Sequence, residues 1–216
     1  MRRAFLMDDN KKKVTEFMCY RNDKMTELEI KEATPAYKES YTYADYITWD
    51  DDIRWELIDG IPYLMGAPNR EHQELLGNLY LLFGTFLKGK HCKVFFAPFD
   101  VRLNFDTLDN TVVQPDLMIV CDHNKLDKAG IKGVPEMLVE ILSPSTSKHD
   151  KTLKYETYRK NGVQEYWILD PKTKTLTVNL LNNGVYISHP YTIKDTVPVH
   201  TLKGFTINLS EVFEDL

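Results

Sequence analysis

Two acids stand where apolar side chains are expected. Asp116 follows Pro115 at the head of the run Leu117-Met118-Ile119-Val120-Cys121, and Glu140 interrupts Met137-Leu138-Val139 and Ile141-Leu142. Continuous apolar runs of this length read as strands buried on both faces of a sheet. An ionised carboxylate in such a strand is costly without a metal, a cationic partner or a solvent channel. Either acid alone reads as half of a salt bridge to a flanking helix. Together, from adjacent buried strands, they can converge on one point and hold a hard divalent cation through oxygen. Such a cation orients a phosphate, activates a water and stabilises the pentavalent state, which is the chemistry of phosphodiester hydrolysis.

Other residues fit that chemistry less directly. His72 opens an apolar helical pattern in phase with Leu75, Leu79 and Phe83, so it faces a sheet, either as a core histidine or as a group holding a water, a phosphate or an acid of the site. Between Ser147 and Lys160, Lys148, Lys151, Lys154, Arg159 and Lys160 outnumber Asp150 and Glu156, with Tyr155 and Tyr158 interleaved. That helix reads as a phosphate-facing surface or as an ordinary solvated face. Nucleotide-binding glycine loops are absent, Ser143-Pro144-Ser145 lacks the glycines of a nucleophile elbow, and His91, His123, His149, His189 and His200 show no zinc spacing.

The elements that must position these residues follow from pattern and turn chemistry. Thr42 and Asp45 form a capping box opening a short helix through Trp49. Arg54 to Ile58 and Ile61 to Met65 are strands joined by Asp59-Gly60, a type I′ turn pair. A long amphipathic helix runs from Arg70 to Phe86, and strands follow at Cys92 to Ala97 and Phe99 to Leu103 around Pro98. After the two acid-bearing strands, a helix from Ser147 to Lys160, capped by Ser147 with Asp150 and closed at Gly162, leads to a buried strand from Gln164 to Leu169. A hairpin turns at Asn183-Gly184, and the chain ends with a strand near Phe205 and a helical turn from Leu209 to Phe213. The order predicts an α/β domain over residues 41–216, with a central mixed β-sheet flanked by α-helices. Residues 1–40, rich in scattered charge, read as a poorly ordered or weakly helical N-terminal extension.

Composition sets the outer bounds. The 216 residues are 43% hydrophobic and 27% charged, which excludes collagen, coiled coil and wholesale disorder. A formal charge of −5 argues against broad coating of a nucleic-acid backbone, but not against a nuclease, whose metal site needs carboxylates. Cys19, Cys92 and Cys121 form no C-x-x-C pair, so neither a disulfide framework nor a zinc knuckle is expected, and the expected compartment is the cytoplasm. The most apolar segment, Leu75 to Leu87, is broken by Gly77, Asn78, Gly84 and Thr85, so no membrane partner is expected. After Arg2 and Arg3 the apolar run is too short for a proper h-region before Asp8, Asp9 and Asn10, so no signal peptide is expected either.

The blocks Pro115-Asp116, Glu140-Ile141-Leu142-Ser143-Pro144-Ser145, Asp150, Lys154-Tyr155 and Gly162-Val163-Gln164-Glu165-Tyr166-Trp167 resemble the Uma-type endonucleases, a branch of the PD-(D/E)XK, or restriction-endonuclease-like, superfamily. Trp55-Glu56-Leu57-Ile58-Asp59-Gly60 and Ala67-Pro68 to His72 match its N-terminal blocks, so the likeness spans Tyr41 to Phe213. The resemblance implies a restriction-endonuclease-like fold and a metal-dependent DNA endonuclease leaving a 5′-phosphate, with Mg²⁺ as cofactor and Mn²⁺ as substitute. It implies Asp116 and Glu140 as metal ligands with Glu56 assisting, and His72 beside them. The superfamily's lysine should lie two residues beyond Glu140, where this chain has Leu142. The amine is then expected from the following helix, from Lys154 or, one turn earlier, Lys151. DNA is the implied partner, and a homodimer is an arrangement the superfamily uses to cut both strands. The departure at Leu142 and the negative charge suit the alternative, a non-catalytic nucleic-acid or protein interaction domain on a degenerate nuclease scaffold.

Overall fold

A computed structural model of the chain describes residues 3–7, 14–18, 39–49, 54–143 and 149–214. The chain divides into a unit at Met1–Tyr37 and a unit at Lys38–Leu216. In the first, β1 (Arg3–Met7) and β2 (Val14–Met18) pair antiparallel, with Arg3 opposite Met18. The rest of the extension over 1–38 lies outside the described residues.

The second unit begins with α1 (Tyr43–Tyr46), where the Asp45 carboxylate accepts from the Thr42 N–H and hydroxyl, each at 3.0 Å. Strands β3 (Trp55–Ile58) and β4 (Ile61–Leu64) form the expected hairpin. Asp59 and Gly60 both take positive φ, 50° and 79°, as a type I′ turn requires. Helix α2 (Arg70–Leu87) buries His72, Leu75, Leu76, Leu79, Phe83 and Leu87, the stripe its periodicity predicts. Asn69 caps it by accepting the His72 N–H at 2.9 Å.

Next come β5 (Lys93–Phe96), β6 (Asp100–Arg102), β7 (Val112–Val113), β8 (Leu117–Val120), β9 (Gly130–Lys132) and β10 (Met137–Ile141). A wide, π-type turn over Asp150–Lys154 runs into α3 (Tyr155–Asn161), which ends at Gly162 in the left-handed region, φ 83°. Ser147, expected as the cap of this helix, and Lys148 lie outside the described residues. Strands β11 (Glu165–Asp170), β12 (Thr175–Asn182), β13 (Val185–Thr192), β14 (Thr196–Pro198) and β15 (Thr206–Asn208) lead to α4 (Leu209–Val212). Beyond β1 and β2, which lie in a segment expected to be poorly ordered or weakly helical, β7, β9 and β14 were not expected from pattern, being only 2 or 3 residues long and too short to show a period.

The main sheet has the order β13-β12-β11-β10-β8-β5, and β10 and β11 run parallel while the other neighbours are antiparallel. A second sheet has the order β4-β3-β7-β6-β9. Alternation along the central strands splits the core. Leu117, Ile119, Met137, Val139 and Ile141 pack with α2 and α4, whereas Met118, Val120, Leu138 and Leu142 pack with Tyr158, Tyr166 and the second sheet's Ile58, Val101, Val113 and Ile131. The even-numbered residues of β8 and β10 thus face the layer shared with the second sheet and α3.

The expectation of unpaired cysteines is corrected. Cys92 and Cys121, one residue beyond the paired Lys93 and Val120 of β5 and β8, form a disulfide. Spacing could not show this, because the strands that bring them together are not consecutive in sequence. Among the described residues, no helix is long and apolar enough to cross a membrane.

Candidate active site

Strand register brings the two acids together. Val139 of β10 lies opposite Leu117 of β8, so the next residues along each strand are Glu140 and Asp116. Both have the parity that faces the layer between the sheets. Asp116 Oδ2 accepts the Ile141 N–H at 2.7 Å, which ties the head of β8 to β10 directly beside Glu140. The same oxygen lies 3.1 Å from His72 Nε2. The histidine's other ring nitrogen, Nδ1, is buried with no hydrogen-bond partner among the described residues. His72 therefore reaches the site as its helical phase predicts, and its polar contact there is with an acid.

Glu140 is buried, and its Oε1 accepts from Lys154 Nζ at 2.9 Å and from the Tyr158 hydroxyl at 2.6 Å. Lys154 is buried as well, although its position in a basic, polar stretch allowed a surface pair. Its ammonium also lies 2.9 Å from Glu56 Oε1 and 3.8 Å from Asp150 Oδ1. Lys154 thus reaches Glu140 from the segment after the Glu140 strand. Lys151, the reserve candidate, points elsewhere and lies 3.4 Å from Asp170. Of the bases in this segment, Lys154 is buried among acids and Arg159 pairs with Glu156, Tyr158 is in the core, and Lys151 and Lys160 are exposed.

Glu56 is buried, and its Oε1 accepts the Gln114 N–H at 2.9 Å. It does not join Asp116 and Glu140 around one point, because Lys154 stands between it and Glu140. Among the described residues, no three His, Cys, Asp or Glu side chains gather as a cation cage. The donors present are the two carboxylates of Asp116 and Glu140, whose hydrogen bonds among the described residues converge on one oxygen each. That set fits a cation that keeps most of its waters and takes one or two protein carboxylates, as Mg²⁺ does.

Electrostatics follow from crowding acids in a dry place. Burial pushes the Glu140 carboxyl well above the ordinary glutamate range; Lys154 opposes this, while Asp116, Asp150 and Glu56 add to it. Burial alone would lower the Lys154 pKa, but Glu140, Glu56 and Asp150 hold it well above the usual lysine value. His149, whose Nε2 lies 3.9 Å from Glu56 Oε2, is lowered by burial against the pull of Glu56. These groups line a cleft of about 220 Å³.

Three participants are hard to see in the sequence. His149 shows no zinc spacing, Tyr158 lies interleaved among bases, and Gln114 carries only one signal, a polar residue buried between Val113 and Pro115, which points to an internal hydrogen-bonding role.

A family model for Uma2, described as "Putative restriction endonuclease", matches residues 43–210. An uncharacterized protein of Synechocystis sp. is 28% identical over 131 residues, which cover 60% of this chain and 67% of that protein. The crystal structure of a "putative nuclease belonging to DUF820" from Anabaena variabilis superposes with a TM-score of 0.66 at 17% identity, over 80% of this chain and 97% of that one.

Proposed function

The chain belongs to the Uma2 family, and from that premise we propose that it is a Mg²⁺-dependent DNA endonuclease that hydrolyses phosphodiester bonds at Asp116 and Glu140. The restriction-endonuclease-like fold expected from the resemblance is the fold found. The observation that carries the proposal is the position of Lys154, whose ammonium lies 2.9 Å from Glu140 despite Leu142 at the superfamily's usual lysine position. The amine whose absence favoured a degenerate scaffold is supplied from another element, which supports catalysis over the non-catalytic alternative.

Asp116 and Glu140 would hold the cation, and Mn²⁺ would substitute for Mg²⁺. When bound, the ion supplies Lewis acidity at the phosphate and favours ionisation of water. The chain's own groups do the rest. Lys154 orients the attacking water and stabilises charge building on the phosphate, in a setting where a fixed cation is worth more than in bulk water. Glu56, held by the Gln114 N–H, and Tyr158, bonded to Glu140, keep that ammonium and that carboxylate in register. His72 steadies Asp116 from α2. The products are a 5′-phosphate and a 3′-hydroxyl.

Nicking of supercoiled plasmid tests this. Wild type should nick in Mg²⁺ and Mn²⁺ but not in EDTA, and Asp116→Asn should lose at least two orders of magnitude in rate. No nicking by wild type with either cation, or undiminished nicking by Asp116→Asn, would remove the proposal.

A further inference from the structure

The four arginines whose side chains are described divide sharply. Arg70 pairs with Glu74, Arg102 with Asp109 and Arg159 with Glu156. Arg54 has no carboxylate partner among the described residues; it is held by a neutral amide. Its Nε and Nη2 donate to Gln114 Oε1 at 3.2 and 2.7 Å.

The amide cannot turn away. Gln114 Nε2 donates to Asp100 Oδ1 at 2.9 Å, a carboxylate oxygen that only accepts, and lies 3.2 Å from the Tyr46 hydroxyl. The Gln114 N–H is fixed on Glu56, and the Arg54 carbonyl accepts the Met65 N–H at 2.9 Å. The guanidinium is therefore oriented by one edge, no acid among the described residues bonds to it directly, and Nη1 has no hydrogen-bond partner among them. Half-buried, it lines the same cleft as Asp116, Glu140 and Lys154. A planar fork held in advance suits the non-bridging oxygens of a phosphate, where less side-chain freedom is lost on binding.

We infer that Arg54 binds a backbone phosphate of the DNA strand, beside the phosphate presented to Asp116 and Glu140. This rests on the nuclease reading and adds to it a strand-holding contact outside the reacting groups. Gln114 is the positioning residue that aims it.

The test uses the full-length chain and a fluorescein-labelled 20-base-pair duplex in Ca²⁺, titrated at several salt concentrations, with plasmid nicking measured in parallel. Arg54→Gln should raise Kd and the KM for nicking about tenfold and flatten the salt dependence of binding by about one phosphate contact. Its rate at saturating DNA should fall far less than that of Asp116→Asn. Should Arg54→Gln melt well below wild type, Arg54→Lys carries the test, since it keeps the charge and loses the fork; a raised KM is again expected. A purely structural role, acting through Gln114 on Glu56, would lower the rate at saturating DNA and leave the salt slope unchanged, and that result overturns the inference. Unchanged Kd and KM in both variants overturn it too, with the nuclease reading intact. If wild type neither binds nor nicks DNA, the nuclease reading falls and this inference falls with it.

Discussion

Replacing Lys154 with methionine removes the ammonium that Glu56, Glu140 and Asp150 share. Glu56 and Glu140, both buried, lose the cation 2.9 Å from each, so the variant should lose about 3–5 kcal/mol near neutral pH, read from urea midpoints. The loss should be smaller at pH 5 than near neutral pH, because burial pushes the Glu140 carboxyl upward and so favours its neutral form, which needs no cation. The Lys154 pKa is raised on folding, so its contribution is complete below the ordinary value of 10.5 and is lost only as pH climbs through the higher folded value. A penalty that is equal at both pH values would contradict the shared-ammonium picture. His149 titrates with the opposite sign. Its pKa is lowered on folding, so its contribution is present above the ordinary value of 6.5 and is lost as pH falls through the lower folded value. His149→Gln should therefore lose less melting temperature than wild type between pH 7.5 and 5, and parallel curves would show that His149 is not held neutral. At this scale the sequence displayed Asp116 and Glu140 plainly, as charges in apolar runs. The partners of Glu56 were hidden, because the Gln114 N–H and the Lys154 ammonium approach it from segments 58 residues away in one case and nearly a hundred in the other.

At the scale of elements, the second sheet depends on a close approach that only glycine permits. Gly130 of β9 pairs with Asp100 of β6, and a Cβ at that position would stand 2.2 Å from the Asp100 carbonyl oxygen. Backbone cannot move aside as a flexible side chain can, so Gly130→Ala should cost about 1–3 kcal/mol and disturb Asp100, which orients Gln114. Chemical denaturation checks it; an unchanged midpoint would mean that β6 and β9 are not packed in this register. The long elements were legible because each carries a local signature: the helical stripe of α2, the apolar runs of β8 and β10, and the positive-φ pairs Asp59-Gly60 and Asn183-Gly184. The short strands were not, since β7 has 2 residues and derives its identity from β3 and β6 on either side. The basic composition of the segment around α3 did not reveal that Lys154 is buried, for a related reason. Composition gives charge, whereas the wide turn at Asp150–Lys154 decides which charges turn inward.

Across the whole second unit, two sheets close on one layer, and the cleft opens where β3, β8, β10 and the segment before α3 meet. The resemblance anticipated this fold because its motifs lie at the ends of those elements. The Cys92–Cys121 disulfide shows the limit, since it depends on the pairing of β5 with β8 and leaves no mark in cysteine spacing. The account as a whole turns on whether a divalent cation sits between the two acids that β8 and β10 bring side by side. Anomalous diffraction from Mn²⁺-soaked crystals of wild type and of Glu140→Gln measures that directly. The account predicts a peak in contact with Asp116 and Glu140 in wild type, beside a Lys154 ammonium still within reach of Glu56, and loss of that peak in Glu140→Gln. Wild-type crystals that bind Mn²⁺ only elsewhere, or a peak that survives unchanged in Glu140→Gln, would contradict it.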